Sequence, residues 1–253
     1  MRSLKFSLYL TLVTILSTSW SAQSQIVYDT VSIKSIGPGI LHYRIVAPSM
    51  PWNINVLQIN LKNPYVSFET VKANDRLAGY EVVSSMAKRK SRPGRVAVGA
   101  INGDFYSSGG IPTHIQISQG EVLLRPISRP AVGFDTRNAP MIDAVTLSLK
   151  AMIDDAVATV HGINATRQTN QLILYNSSMG PTTGTNQFGT EALLRPVTPW
   201  IVNDTVVCVV ESIEQRIGNM AIPKGWAILS GHGLSESTVM SRLQRGDSIR
   251  LGC

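Results

Sequence analysis

The chain has 253 residues, 43% hydrophobic and 15% charged, with 23 Lys and Arg against 16 Asp and Glu for a net charge of +7. That composition excludes a disordered polyelectrolyte, and only two cysteines exclude a disulfide-built scaffold. The longest basic run, Lys88-Arg-Lys-Ser-Arg92, lacks the interleaved aromatics of a single-strand binder, so it reads as a solvated helix end and no nucleic-acid partner is expected.

In chain order, Arg2 and Lys5 form a basic start and residues 6–16 an apolar stretch too short to span a bilayer. Ala22-Gln23-Ser24 offers a small-x-small cleavage site, so residues 1–24 read as a signal peptide and Gln25 as the mature start. Cleavage removes Arg2 and Lys5 and no acid, taking +7 to +5. The expected location is therefore secreted, periplasmic or cell-envelope, with no stable membrane span after cleavage. Residues 25–253 are expected to form one domain, with Pro126 to Pro130 as the only internal seam.

Strands are expected over 26–36 and 40–46, joined as a hairpin by Gly37-Pro38-Gly39, and over 54–61 and 66–71. A helix follows over 80–90, with Val82, Val83, Met86 and Ala87 on one face and its basic residues at the C-terminal end. Val96-Ala-Val-Gly-Ala-Ile101 reads as a buried strand. Further strands are expected over 114–118, 121–124, 142–149, 171–175, 190–195, 205–211, 226–229 and 248–251. A second helix is expected over 235–244, with Ser235 as N-cap and Gly246 just past its end. Many strands, two short helices and no βαβ rhythm predict an α+β fold of mostly antiparallel, mixed sheets. Cys208, inside Val206-Val-Cys-Val-Val210, reads as a small core residue. A bridge to Cys253 is compatible with export, but the spacing does not argue for it. The stop at Leu251-Gly-Cys253, directly after a strand, predicts an incomplete domain.

The chemistry concentrates at the exit of the 96–101 run, in Asn102-Gly-Asp-Phe-Tyr106. Asn102 both donates and accepts hydrogen bonds, an ionised Asp104 only accepts, and Gly103 admits a bent backbone or a close ligand. Phe105 and Tyr106 offer flat faces. The set suits a sugar or another small polar ligand, and it equally suits a tight turn with an Asx hydrogen bond. Asp104 with His114 makes a two-residue metal candidate, so a divalent cation is compatible although no cofactor is implied. Asn164, Asn176 and Asn203 sit in glycosylation sequons.

Seven segments fall in one order: Pro51-Trp-Asn-Ile-Asn-Val-Leu-Gln-Ile-Asn-Leu61, Ser84-Ser-Met-Ala-Lys88, Ala100-Ile-Asn-Gly-Asp-Phe-Tyr106, Ile163-Asn164, Leu174-Tyr-Asn176, Thr182-Thr-Gly-Thr-Asn-Gln-Phe-Gly-Thr-Glu191 and Ile222-Pro-Lys-Gly-Trp-Ala-Ile-Leu-Ser-Gly-His-Gly233. Together they resemble the bacterial members of the phosphodiester glycosidase family, whose uncovering enzyme removes N-acetylglucosamine from a phosphodiester on mannose 6-phosphate glycans. The resemblance covers residues 51–251. It implies an exported hydrolase that cleaves a sugar-1-phosphodiester of the N-acetylglucosamine-phosphate type in a glycan or cell-wall polymer. It also implies a second half, with an arginine-bearing segment, Asp-Gly-Arg and Asp-Gly-Gly-Gly-Ser, none of which occurs here. The missing half is thus an expected partner, and activity of this chain alone is in question. Cleavage needs carboxylates near the anomeric carbon and donors on the phosphate. The resemblance assigns Asp104 and Glu191 as the catalytic carboxylates. It assigns Asn102, Gly103, Thr185, Asn186, Gly231 and His232 to substrate binding, with Ser230 to Ser235 as a phosphate seat at a helix N-terminus. For Glu191 the alternative is a surface residue of a hydrogen-bonded loop. The rival to hydrolysis is a non-catalytic glycan-binding or envelope protein, or a remnant of the enzyme. A metal-dependent phosphodiesterase cutting P–O is a third reading.

Overall fold

The computed structural model describes residues 25–252, so the expected signal peptide and Cys253 lie outside the described residues. The described chain divides into two compact units at Asn60/Leu61, and the seam expected at Pro126 to Pro130 falls inside the second.

The first unit is a three-stranded antiparallel sheet in the order β1 (Asp29–Gly37), β2 (Ile40–Ala47), β3 (Trp52–Ile59). Gly39, at φ 70, closes the two-residue turn between β1 and β2, a backbone region that disfavours side chains. Polar pairs of β2 and β3 cover one face, with His42 bonded to Asn55 at 2.9 Å and Arg44 to Asn53 at 3.2 Å.

The second unit is built on an eight-stranded sheet. Its strands are β10 (Leu149–Ile153), β11 (Ala156–Val160), β12 (Gly162–Ile163), β13 (Leu172–Asn176), β14 (Thr190–Pro196), β15 (Thr205–Gln215), β16 (Ala227–Gly231) and β17 (Ser248–Gly252). Their order is β11-β10-β17-β15-β14-β16-β13-β12, antiparallel except for β12 with β13. The two edge strands, β11 and β12, are separated in sequence only by His161, so the sheet curls until its edges meet there. His161 fastens that seam: its N–H donates to the Leu172 carbonyl at 2.7 Å, and Leu172 N–H donates to its Nδ1 at 3.1 Å. Alternate residues such as Ala151, Leu194, Cys208, Leu229 and Leu251 turn into the main core. Burial pushes the Cys208 thiol up to about 12, as expected of a small core residue. Strands β13 and β16 are buried along their whole length, because Ile173, Tyr175 and Ile228 face a second cluster with Met220 and Ile222 on the outside of the sheet.

Shorter elements lie ahead of this sheet in the chain. Helix α1 (Val83–Lys90) is followed by three antiparallel ribbons. These are β4 (Tyr106–Ser107) with β5 (Ile111–Pro112), β6 (Gln116–Ser118) with β7 (Glu121–Leu124), and β8 (Pro130–Phe134) with β9 (Pro140–Ala144). Helix α2 (Leu234–Thr238) and a single 3₁₀ turn, Met240–Arg242, precede β17. The fold is thus strand-rich α+β with mostly antiparallel sheets and two short helices.

Several expected boundaries move. Helix α1 begins at Val83 rather than 80, because Glu81 is drawn away to accept bonds from Asn74 N–H and the Arg89 guanidinium. Arg89 also binds Asp75 and the Lys72 carbonyl, and Lys90 pairs with Asp75 at 2.8 Å. Two members of the basic run are therefore engaged in ion pairs rather than simply solvated. The second helix ends at Thr238, and Ser235 lies inside it; the N-cap is Gly233. Residues 66–71 form no strand. Thr70 Oγ1 instead donates to the Ile117 carbonyl, and Phe68 stacks flat on Phe134 at 3.9 Å. Of residues 142–149, 142–144 belong to β9, 149 opens β10 and 145–148 lie in neither, while β4, β5, β8, β11 and β12 were not expected.

The largest departure is the 96–101 run, which is neither strand nor buried: Val96 is 68% and Ile101 79% exposed. A buried strand needs a neighbour along its edge to take its backbone groups. Among the described residues none pairs with this run, and Ala97 N–H is held only by the Ser91 hydroxyl.

Candidate functional site

Antiparallel pairing of β14 with β16 sets Glu191 opposite Ser230 and Thr190 opposite Gly231. Both Glu191 and Ser230 project from the sheet face that also carries Ile228 and Leu193, where the outer apolar cluster gives way to polar groups. Glu191 is fully enclosed, at 0% exposure. Its Oε1 accepts from the Ser230 hydroxyl at 3.0 Å and the Thr185 hydroxyl at 3.1 Å. Its Oε2 accepts from Met220 N–H at 3.0 Å and the Thr183 hydroxyl at 3.2 Å. Four protein donors on a buried carboxylate hold a loop in place, so the alternative of a surface glutamate is overturned. Each carboxylate oxygen is thus engaged by two protein donors.

Arg167 completes the network from the far side. It is buried, and one guanidinium nitrogen donates to the Ser230 hydroxyl at 2.7 Å. The other reaches the Asn186 carbonyl and Oδ1, both at 3.0 Å, and the Phe188 carbonyl at 2.6 Å. A buried cation and a buried carboxylate are thus bridged by one hydroxyl, an arrangement in which all three need each other. Gly189 makes it fit: at φ 136, a Cβ there would stand 2.8 Å from the Arg167 guanidinium. Just behind lies Tyr175, whose phenol, pushed up to about 12 by burial, donates to the Ala165 carbonyl at 2.7 Å.

The outer surface of this network carries Asn186, Phe188 and His232. His232 stacks on Phe188 with ring centroids 6.2 Å apart and planes 21° from parallel. Asn186 and Phe188 are exposed, while Thr185 is half-buried and bonded to Glu191 and Asn219 N–H. Of the expected binding residues, Thr185 and Asn186 lie on the loop held by Glu191 and Arg167, and His232 meets that loop at Phe188.

Gly231 and the phosphate seat are corrected. Gly231 is buried in the β16 ladder, where a Cβ would stand 2.5 Å from the Met240 side chain, so its role is close packing. At the N-terminus of α2, Asn170 Oδ1 takes the first N–H, that of Leu234, at 3.0 Å, and the Asn170 carbonyl accepts from the Ser235 hydroxyl at 2.9 Å. Helix α2 spans five residues, too short to focus a field on an anion.

Asn102, Gly103 and Asp104 form a second, separate group. All three are exposed. Asp104 accepts from Phe105 N–H at 2.7 Å and His114 N–H at 2.9 Å, and Arg129 stands 3.9 Å away. Its own bonds are those of the turn reading, although its side chain stays 30% exposed. His114 does not join it as a metal ligand. Its Nδ1 accepts from Ile127 N–H at 3.0 Å and its Nε2 lies 2.8 Å from the Arg129 carbonyl, so both ring nitrogens serve the fold. Among the described residues no group of three or more His, Cys, Asp or Glu is placed to hold a metal ion, and no hydrogen bond or ion pair joins this group to the Glu191 network.

Three residues that hold or extend these loops escaped the sequence reading. Arg167 is a lone basic residue between two apolar runs, a pattern that signals a buried charge only once its partners are known. Asn170 and Phe188 carried no signal apart from their motif neighbours. Two of the three sequons are structural. Asn164 and Asn176 are buried and bonded to each other, and they donate to the Leu123 and Val122 carbonyls to staple β7 onto the β12–β13 pair. Asn203 is exposed. A cavity of about 280 Å³ lies elsewhere, between β11 and α2, and of the expected site residues Ser235 of the phosphate seat alone lines it. Among the described residues no helix is long and apolar enough to cross a membrane.

A scan against protein-family models finds no match, and no curated protein matches. A solved structure, that of a hypothetical protein from Synechocystis, is similar with a TM-score of 0.59 and 17% identity over 88% of this chain. The match takes in 41% of that longer chain. It supports the fold alone.

Proposed function

We propose that this chain is an exported hydrolase of the phosphodiester glycosidase type, acting on a sugar-1-phosphodiester of the N-acetylglucosamine-phosphate class in a glycan or cell-wall polymer. The observation that carries the reading is the meeting of half-buried His232 with the exposed Asn186-to-Phe188 loop at Phe188, fixed from beneath by the buried Arg167–Ser230–Glu191 network. A rigid support under exposed polar and aromatic groups is what ligand recognition requires. In this reading Asn186 and His232 meet the sugar phosphate, Glu191 and Arg167 hold the Asn186 loop in place, and Asp104, which lies in a separate exposed group, is the proposed catalytic carboxylate.

The test is release of N-acetylglucosamine from the methyl phosphodiester of N-acetylglucosamine 1-phosphate. Asp104→Asn is expected to remove at least about 90% of the rate if it works at the reacting centre. Glu191→Gln is expected to lower the rate through a disordered loop, with KM rising more than kcat falls. If both variants keep full activity, the assigned roles are wrong.

The enclosure of Glu191 favours a second reading, glycan binding without turnover. Its signature is retention of the phosphodiester by the protein with no sugar released over long incubation.

A further inference from the structure

We propose that Phe188, backed by His232, forms a stacking platform for one pyranose ring, with the Asn186 side-chain amide as the donor that sets its orientation; this rests on the sugar recognition proposed above. Phe188 is 55% exposed. A large apolar side chain on a loop tip is ordinarily a mobile tip with nothing holding it. Here its backbone is clamped at both ends. The carbonyl of Phe188 accepts from buried Arg167 at 2.6 Å, and its N–H donates to Asn186 Oδ1 at 3.1 Å. A buried guanidinium is therefore engaged in holding an aromatic ring out in solvent, and a ring held this way loses little freedom on binding.

The neighbouring groups match a sugar rather than a purely apolar partner. His232 stacks on Phe188 at 6.2 Å and 21°, which backs one face of the ring, while Phe188 stays 55% exposed for a ligand. Asn186 Oδ1 is taken by Arg167 and Phe188 N–H, so the amide plane is fixed, while its Nδ2 has no protein partner among the described residues. A pyranose presents C–H groups on its face and hydroxyls around its rim. The face suits the exposed Phe188 ring and a rim hydroxyl suits the fixed amide.

The platform is tested by titrating the full chain with N-acetylglucosamine 1-phosphate and, separately, methyl glucoside, reading affinity by calorimetry and ring-proton saturation transfer by NMR. Saturation transfer to the ring C–H protons of at least one sugar is expected. Phe188→Trp is expected to keep the affinity. Phe188→Ala is expected to weaken it about tenfold with an unchanged melting curve, since the side chain is exposed. Phe188→Leu, which keeps apolar bulk without a flat face, is expected to behave like the alanine variant and covers the case in which alanine disturbs the loop. If the unaltered chain binds sugar and both small variants bind it equally well, the platform is wrong and sugar recognition stands. If the unaltered chain binds neither sugar, sugar recognition fails and the platform fails with it.

Discussion

Lys72 ends in an amine that is buried and has no hydrogen-bond partner among the described residues. Burial pulls it down to about 8, with the Glu121 and Asp75 charges acting in the opposite direction. Glu121 is itself raised by burial, partly offset by Lys72. A folded-state value below the unfolded 10.5 means that the unfolded chain binds the proton more tightly. The penalty is therefore complete below about pH 8 and is relieved as pH rises from there towards 10.5. Lys72→Met is expected to be more stable than the unaltered chain by about 2 kcal/mol at pH 7. That gap should narrow steadily between pH 8 and 10. Urea unfolding across that range measures it, and a gap independent of pH would exclude the mechanism. Arg167 and Glu191 show the opposite solution: both are buried, and each is supplied with hydrogen-bond partners.

At the scale of elements, legibility followed the partners a segment finds. Strands β13, β14, β15, β16 and β17 were all visible as apolar or alternating runs, because each lies between sheet neighbours that reward that pattern. Residues 96–101 carry the same signal and form no strand, because periodicity reports what a segment could bury and says nothing of whether a neighbour is there. The turn at Asp154-Asp155, with Asp154 at φ 48, joins β10 to the unexpected β11, and short polar turns of this kind are easily read as loop. The candidate site was half legible. Thr185, Asn186 and His232 stood out as polar groups at strand ends, but the order among them comes from Arg167, whose partners lie 19 to 63 residues away in sequence. The exposed run makes a prediction of its own. Val98→Asp is expected to change stability by less than about 0.5 kcal/mol, as for an ordinary surface substitution. Were the run a buried strand, the same change would cost several kcal/mol, so one thermal melt separates the two.

In the second unit as a whole, β17 is a central strand, with β10 on one side and β15 on the other. Ile249 and Leu251 point into the core while Arg250 between them faces outward. Ile249→Ala is expected to lose about 2–5 kcal/mol and Arg250→Ala less than about 0.5 kcal/mol, both read from urea midpoints. A larger loss at Arg250 than at Ile249 would mean that the strand is misregistered by one residue.

The position of β17 also bears on how the protein is made. Strand β10 waits for a partner that lies roughly a hundred residues further along the chain, a separation that slows pairing. During synthesis the hairpin of β10 with β11 can form early, as can the pairing of β14 with β15, but the gap between them stays open until residues 248–252 have left the ribosome. Until then two strand edges face solvent side by side, ready to accept any extended peptide. The nascent chain is most exposed to mispairing in the interval just before its last described strand arrives, and a chaperone that shields strand edges would act in that interval.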